Sequence, residues 1–214
     1  MKKVAVIGTG VVGLVLADGF LKHGYEVIRT SRDLSKLEDW PKGAGAKASV
    51  LSVADAAQAA DIIVLAVKGA GAEETVAACG AGLAGKTVLD TSNPIANAPP
   101  TNGVLSFFTT LDNSLMERLQ KKAPGAHFVK AFSCTGSPFM VNPDFGGIRP
   151  TMFICGNDKG AKAEARTILD QFGWDTEDLG AVEAARAIEP LCILWCIPGL
   201  TGGGWNHAFK LLRA

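Results

Sequence analysis

The sequence predicts an α/β fold on a doubly wound, mostly parallel sheet, and three observations carry the prediction. Short aliphatic runs, best seen at Val4–Ile7 and Asp61–Val67, alternate with helical segments over short connections. The runs are apolar at consecutive positions, as strands buried on both faces are. The first run stops at a glycine-rich turn that opens a helix. Composition agrees: 48% hydrophobic but only 7% aromatic residues, with 25 glycines, calls for a closely packed aliphatic core. A chain of 214 residues suits one compact domain or one domain with a small annex.

Taken in order, Val4–Ile7 is a strand ending at Gly8, and Val11–Lys22 a helix in which Gly13, Ala17 and Gly19 allow close approach and His23-Gly24 closes the end. Tyr25–Thr30 is the second strand. Asp33–Trp40 reads as a short helix stopped before Pro41. Ala54–Ala60 is helical and feeds the strand Asp61–Val67; Ala72–Leu83 and Thr87–Thr91 repeat the pattern. Pro94–Gly103, rich in Pro and Asn, is a loop. Leu111–Lys122 is a helix and Ala126–Phe132 a strand, followed by strand Thr151–Cys155, helix Lys159–Phe172 and a last strand, Trp174–Leu179. Beyond Ala181, the apolar stripe Ala185, Ile188, Cys192 and Trp195 predicts a helix. Pro198-Gly199 and Gly202–Gly204 interrupt it before Trp205–Leu212 resumes it. No internal repeat, linker or low-complexity tract breaks the chain.

Twenty-one basic residues cancel twenty-one acidic ones and the pI is near 6.8, which argues against a nucleic-acid partner, whose site needs a basic excess. No apolar run approaches the ~18 residues of a membrane span, and the run after Lys2-Lys3 is too short for a signal peptide, so a cytoplasmic chain is expected. Five cysteines form no C-x-x-C pair; Cys192 and Cys196, among apolar neighbours, read as buried core thiols. The three histidines are far apart, so no metal site is expected.

The sharpest feature is Gly8-Thr9-Gly10-Val11-Val12-Gly13, a G-x-G-x-x-G turn between a strand and a helix. In that context Gly8 makes the tight turn, Gly10 admits a pyrophosphate and Gly13 admits close helix–strand packing, with the anion on the helix N-terminus. The fold is then Rossmann-type. An enzyme using NAD places Asp or Glu about 20 residues past the motif. Here that stretch is Val27-Ile28-Arg29-Thr30, followed by Ser31, Arg32 and Lys36. Hydroxyls and cations at the end of the second strand suit a 2′-phosphate, so NADP(H) is the expected dinucleotide.

Ligands of such sheets lie beyond the carboxyl ends of the strands. Ala66-Val67-Lys68 is expected to pass over the adenosine side, and Asn93-Pro94 and the segment Ala131 to Thr135 to frame the nicotinamide. Asn93, Ser133, Cys134 and Thr135, with Trp205 from the tail, are the candidate substrate contacts. Lys130 is weighed as a catalytic acid and Cys134 as a nucleophile. No His partner for Cys134 is evident, and no acid–base constellation stands out. That absence fits hydride transfer between rings, which needs alignment at about 3–3.5 Å more than a positioned proton donor.

The Gly8–Gly13 loop with Ser31, Arg32 and Lys36, then Val129-Lys130-Ala131-Phe132, Phe153–Asp158 and Ala185–Leu191, resembles the NADPH-dependent deazaflavin coenzyme (F-420) reductase family over nearly the whole chain. The resemblance implies that Thr9, Ser31, Arg32 and Lys36 hold the 2′-phosphate. It also implies that hydride passes between NADPH and a deazaflavin or flavin in a cleft closed by the C-terminal part, and that the chain forms a homodimer. Ser133 departs from the Asn that many bacterial relatives carry there, which leaves the acceptor open. The division expected is 1–132 for the dinucleotide and 133–214 as a small α/β annex for substrate and dimerisation. A small imine or β-hydroxyacid reductase, and an NADPH-binding redox sensor or docking module without turnover, are the competing readings.

Overall fold

The computed structural model of the chain describes residues 2–214. The elements are β1 (Lys3–Ile7), α1 (Val11–Lys22), β2 (Glu26–Thr30), α2 (Trp40–Ala44), β3 (Ala48–Val50), α3 (Val53–Ala59), β4 (Ile62–Leu65), α4 (Ala72–Cys79), β5 (Thr87–Asp90), α5 (Leu115–Lys122), β6 (His127–Lys130), β7 (Thr151–Ile154), α6 (Lys159–Gln171), β8 (Asp175–Asp178), α7 (Ala185–Ile188) and α8 (Leu191–Leu200). Six strands form one sheet in the order β3-β2-β1-β4-β5-β6, every neighbouring pair parallel. The order reverses between β1 and β4, which opens a crevice at their carboxyl ends. This is the Rossmann-type arrangement the sequence predicts.

Alternation along each strand divides the core. Ala5, Ile7, Ile63, Leu65, Val88 and Phe128 face α3, α4, α5 and α7, whereas Val4, Val6, Ile62, Val64, Leu89 and Val129 face α1 and α6. Both faces being covered, the strands need no polar side, and this is why their sequences read as unbroken apolar runs. The parallel pair β7–β8 joins the edge of the main sheet through an antiparallel bridge between Lys130 and Cys155. Its crossover helix α6 returns to the main sheet, where Phe172 meets Phe20 with ring centroids 5.0 Å apart.

The structure corrects the sequence reading at several places. Pro41 starts a helix instead of stopping one: it lies in the first turn of α2, where its missing N–H has no partner to lose. The short edge strand β3 is absent from the sequence reading because three residues carry no usable periodicity. The helix expected from Leu111 begins after Ser114, whose hydroxyl accepts from Glu117 N while Glu117 accepts from Ser114 N, a reciprocal cap. The stripe beyond Ala181 breaks into α7 and α8, and α8 continues through Pro198 to Leu200. Cys196 is half-buried, although Cys192 is buried as expected.

Trp205–Leu212 is not helical. Gly202 and Gly204 turn at positive φ, and the tail then passes beside Thr151 of β7. Thr151 N donates to Phe209 O at 2.8 Å, and the tail residue Leu211 N donates to Thr151 Oγ1 at 3.1 Å. Thr151 thus pairs the Phe209 carbonyl and the Leu211 N–H, two groups that a helix would have paired internally.

Candidate functional site: a dinucleotide crevice

Because the strands are parallel, the Gly8 turn, the Ser31–Lys36 segment, Ala66–Lys68, Thr91–Pro94 and Ala131–Thr135 all emerge at the same edge of the sheet. The three glycines of the first turn have separable reasons. Gly8 stands at φ +142°, and a Cβ there would collide with the Ala66 carbonyl oxygen. A Cβ at Gly13 would lie 2.6 Å from Gly8 O. Both are demanded by the protein's own packing. Gly10 is exposed and nothing lies within 4 Å of where its Cβ would stand. The chain therefore has no need of a glycine there, whereas a pyrophosphate seated on the turn does.

The helix beyond the turn is electrostatically open. Gly10 caps α1 without a side-chain hydrogen bond, and the first turn holds no acidic residue. The free N–H groups of Val11 and Val12 and the helix dipole thus favour an anion. Thr9 is exposed beside them and Val11 is 62% exposed. Arg29, buried at the end of β2, donates to Gly8 O at 3.1 Å and lies 5.3 Å from the Trp40 ring centroid. Burial lowers its pKa, with Asp18 opposing. No local sequence signal marks this support, because its partner is a main-chain carbonyl 21 residues away.

Ser31, Arg32 and Lys36 follow directly, tied to the turn by Gly8 N donating to Thr30 O at 2.9 Å. Arg32 Nη1 reaches Glu74 Oε2 at 2.9 Å across the crevice, with both side chains about 70% exposed. Lys36 lies 3.4 Å from Asp33, which folds over Ser31 and Ser35. Two cations and a hydroxyl are thus gathered at the mouth in solvent-screened pairs, which an incoming dianion can displace at small cost.

At the ends of β5 and β6 the surroundings are dry. Thr91 Oγ1 donates to Leu65 O at 3.0 Å, which ties the end of β5 to β4, and Asn93 Nδ2 donates to Ser133 O at 2.7 Å, which ties it to the segment after β6. A Cβ at Gly69 would collide with Asn93 O, which leaves the turn no room to move toward β4. Phe132 has φ +60°, a conformation that bulky side chains avoid, and it turns the chain so that Ser133, Cys134 and Thr135 fold inward. Asn93 Oδ1, Ser133 Oγ and Thr135 Oγ1 are buried with no protein partner. Such atoms cost free energy unless a ligand or water meets them, and their mix of donors and acceptors fits a carboxamide.

The remaining candidates divide. Ala66 and Pro94 are buried, Val67 is half-buried and Lys68 is exposed. Ala131 is fully buried, its side chain within the core on the α1 side. Trp205, 44% exposed, packs over Gly199 and lies 5.4 Å from Trp195, whose ring would be 2.8 Å from a Cβ at Gly136. The tail is thereby brought within one ring of the Ser133–Thr135 segment. Cys134 is no nucleophile: burial pushes its thiol up to about 12, and His127 sits at the opposite end of β6. Lys130 is no catalytic acid either. It is fully buried, and its ammonium meets Asp90 at 2.7 Å, Ser92 O at 2.8 Å and Glu189 at 3.1 Å. Burial alone would lower its pKa, but the two carboxylates outweigh burial and raise it.

Among the described residues no group of three or more His, Cys, Asp or Glu is placed to hold a metal ion, and no helix is long and apolar enough to cross a membrane.

Comparison with known proteins agrees with this geometry. The family described as NADP oxidoreductase, coenzyme F420-dependent, matches residues 3–94. The crystal structure of an Arthrobacter sp. FB24 protein assigned as an F420-dependent NADP reductase superposes with a TM-score of 0.91 at 32% identity, covering 100% of both chains. The F420-dependent NADP reductase of Methanocaldococcus jannaschii is 27% identical over 88% of each chain. The Bacillus subtilis oxidoreductase YfjR is 28% identical over 83% of this chain, which spans only 56% of its length. Aspergillus terreus reductive aminase, solved with NADPH, shares the fold at a TM-score of 0.69 and 22% identity, this chain spanning 63% of it. With full-length agreement to the Arthrobacter structure and a crevice that suits NADP(H), the chain belongs to the coenzyme F420-dependent NADP oxidoreductase family and is an NADP(H)-dependent oxidoreductase.

Proposed function

We propose that the chain passes a hydride between NADP(H) and a deazaflavin of the F420 type, or a flavin ring, stacked over the nicotinamide. NADPH supplies the hydride, and the acceptor ring takes it together with a proton from solvent. In this reading the N–H groups of Gly10 to Gly13 hold the pyrophosphate, and Thr9, Ser31, Arg32 and Lys36 hold the 2′-phosphate. Ala66, Val67 and Lys68 border the adenosine side. Asn93, Pro94, Ala131 and Ser133 border the nicotinamide, with Cys134, Thr135 and Trp205 toward the acceptor.

The observation that carries the ring-facing half is the set of three buried, unpartnered polar atoms on Asn93, Ser133 and Thr135 beside an otherwise dry wall. A site that aligns two rings needs fixed hydrogen-bonding groups and no strong acid or base. The names of the Arthrobacter and Methanocaldococcus relatives point to F420 as the acceptor. We place the dinucleotide in 1–132 and the closing of the cleft in 133–214, in a cytoplasmic homodimer.

The test is NADPH consumption by the purified chain with F420, FMN, FAD and ferric chelates in turn. Oxidation of NADPH with F420 or a flavin is expected. Tight NADPH binding without turnover on any acceptor would overturn the reading and favour a sensor or docking module.

A further inference from the structure

Lys130, Asp90 and Glu189 form a fully buried ionic cluster that hydride exchange itself does not call for. Burying one cation and two anions is expensive unless the charges are paired and hydrogen-bonded. Here each of the four carboxylate oxygens has at least one partner. The Lys130 ammonium donates to Asp90 Oδ2 and Ser92 O and is ion-paired with Glu189 Oε1 at 3.1 Å. Asp90 Oδ1 accepts from both Ser92 N at 2.9 Å and Ser92 Oγ at 2.6 Å. Glu189 accepts from Leu115 N and Met116 N, the first N–H groups of α5. Half of the cluster's hydrogen bonds therefore converge on Ser92, the residue before Asn93.

We infer that Lys130 and Asp90 are positioning residues for hydride transfer, clamping the Ser92 main chain so that Asn93 holds the nicotinamide in one orientation. The inference rests on the proposed placement of the nicotinamide against Asn93 and Ser133. The turn is pinned from the β4 side by Thr91 on Leu65 O and by Gly69 under Asn93 O. From the β6 side, Asn93 Nδ2 on Ser133 O and the Lys130–Asp90 pair supply the hold. The phosphate loop lies on β1 and α1, outside the cluster. Loss of the clamp should therefore free the nicotinamide and leave the anchored phosphates as they were.

Lys130→Met is the obvious variant, but it leaves two carboxylates facing each other in the core and can fail to fold. Asp90→Asn is the better probe: Lys130 and Glu189 remain as a balanced pair. The amide cannot serve Lys130 and Ser92 with acceptors at once, and turns a donor toward one of them. The buried-core variant Ile168→Ala, on α6, controls for lost stability alone.

NADPH is titrated into each folded variant, reading the dissociation constant and the fluorescence gain of the bound dihydronicotinamide, which reports its immobilisation; Asn93→Ala is run in parallel. Asp90→Asn should keep the dissociation constant within about twofold of the wild type and lose most of the fluorescence gain, with F420 turnover falling about 10- to 100-fold. Ile168→Ala should lower the melting temperature and keep the gain. If Asp90→Asn keeps the gain while Asn93→Ala loses it, positioning is overturned and the proposed site stands. If Asn93→Ala also keeps it, or the wild type shows none, the nicotinamide does not lie there and both readings fall.

Discussion

In the proposed reading the choice of dinucleotide turns on Arg32. It reaches Glu74 at 2.9 Å with both groups about 70% exposed, a pair that contributes about 0–1 kcal/mol. A charge-assisted bond to a 2′-phosphate is worth about 1.5–3 kcal/mol, so the exchange favours the phosphate. Arg32→Ala should weaken NADPH about tenfold or more and leave NADH nearly unchanged. Calorimetric titration with each dinucleotide checks it, and equal losses for both would remove Arg32 from the 2′-phosphate. The residues of this half were legible because they are contiguous: a strand, three glycines at fixed spacing, and the cations that end the next strand. Lys130 was not legible, since Asp90 lies 40 residues before it and only the parallel register of β5 and β6 sets the two side by side. A lone lysine beside apolar residues reads the same whether it is a buried counter-ion or an acid waiting in a cleft.

Among elements, α1 and the buried strands β1, β2, β4, β5, β6 and β7 could be read from their apolar runs, whereas β3, α5, α7 and the tail depend on partners distant in sequence. The Ser114–Glu117 box that starts α5 was visible as Ser-Leu-Met-Glu, but Leu111 drew the boundary forward; that leucine is 77% exposed and outside the helix. Glu117 has a second task. Arg186 on α7 grips both its carboxylate oxygens, Nε at 3.1 and 3.0 Å and Nη2 at 2.6 Å, which ties α7 to α5. The Arg186 hydrogen bonds hold the Glu117 carboxyl at about 2, with the Ser114 cap assisting and partial burial opposing. A depressed carboxyl pKa stabilises the fold above the unfolded value of about 4.3, and that contribution is lost as pH falls from there toward 2. With Arg186 39% exposed, solvent screening keeps the contribution of the pair well below what the shift alone implies. Arg186→Ala should lower the melting temperature at neutral pH by up to about 4 °C and flatten the decline of stability between about pH 5 and 2. Thermal melts across that range decide it, and an unchanged acid limb would show that the pair contributes nothing.

On the scale of the whole molecule, α8 is the element that one chain leaves unexplained. From Leu191 to Leu200 it carries no charged residue, yet only Cys192 and Trp195 are buried. Leu194 is 55% exposed and Leu200 39%. A helix apolar on all sides belongs in a core, and exposed apolar patches of this kind mark interfaces. The tail that crosses β7 adds Leu211 and Leu212 to the exposed apolar residues, the latter 81% exposed. A second copy presenting the same α8 would cover both helices by one twofold contact. Sedimentation should then give twice the chain mass of 22.3 kDa. Leu194→Asp places a charge at the centre of the contact and should yield a monomer. Its NADPH affinity should stay within about twofold, because the phosphate loop lies on β1 and α1. Its acceptor turnover should fall, because α8 carries Trp195, which backs the Gly136 end of the ring-facing segment. A wild-type protein that sediments as a monomer, or a Leu194→Asp variant that stays dimeric, would move the interface away from α8 and leave that helix without an assigned partner.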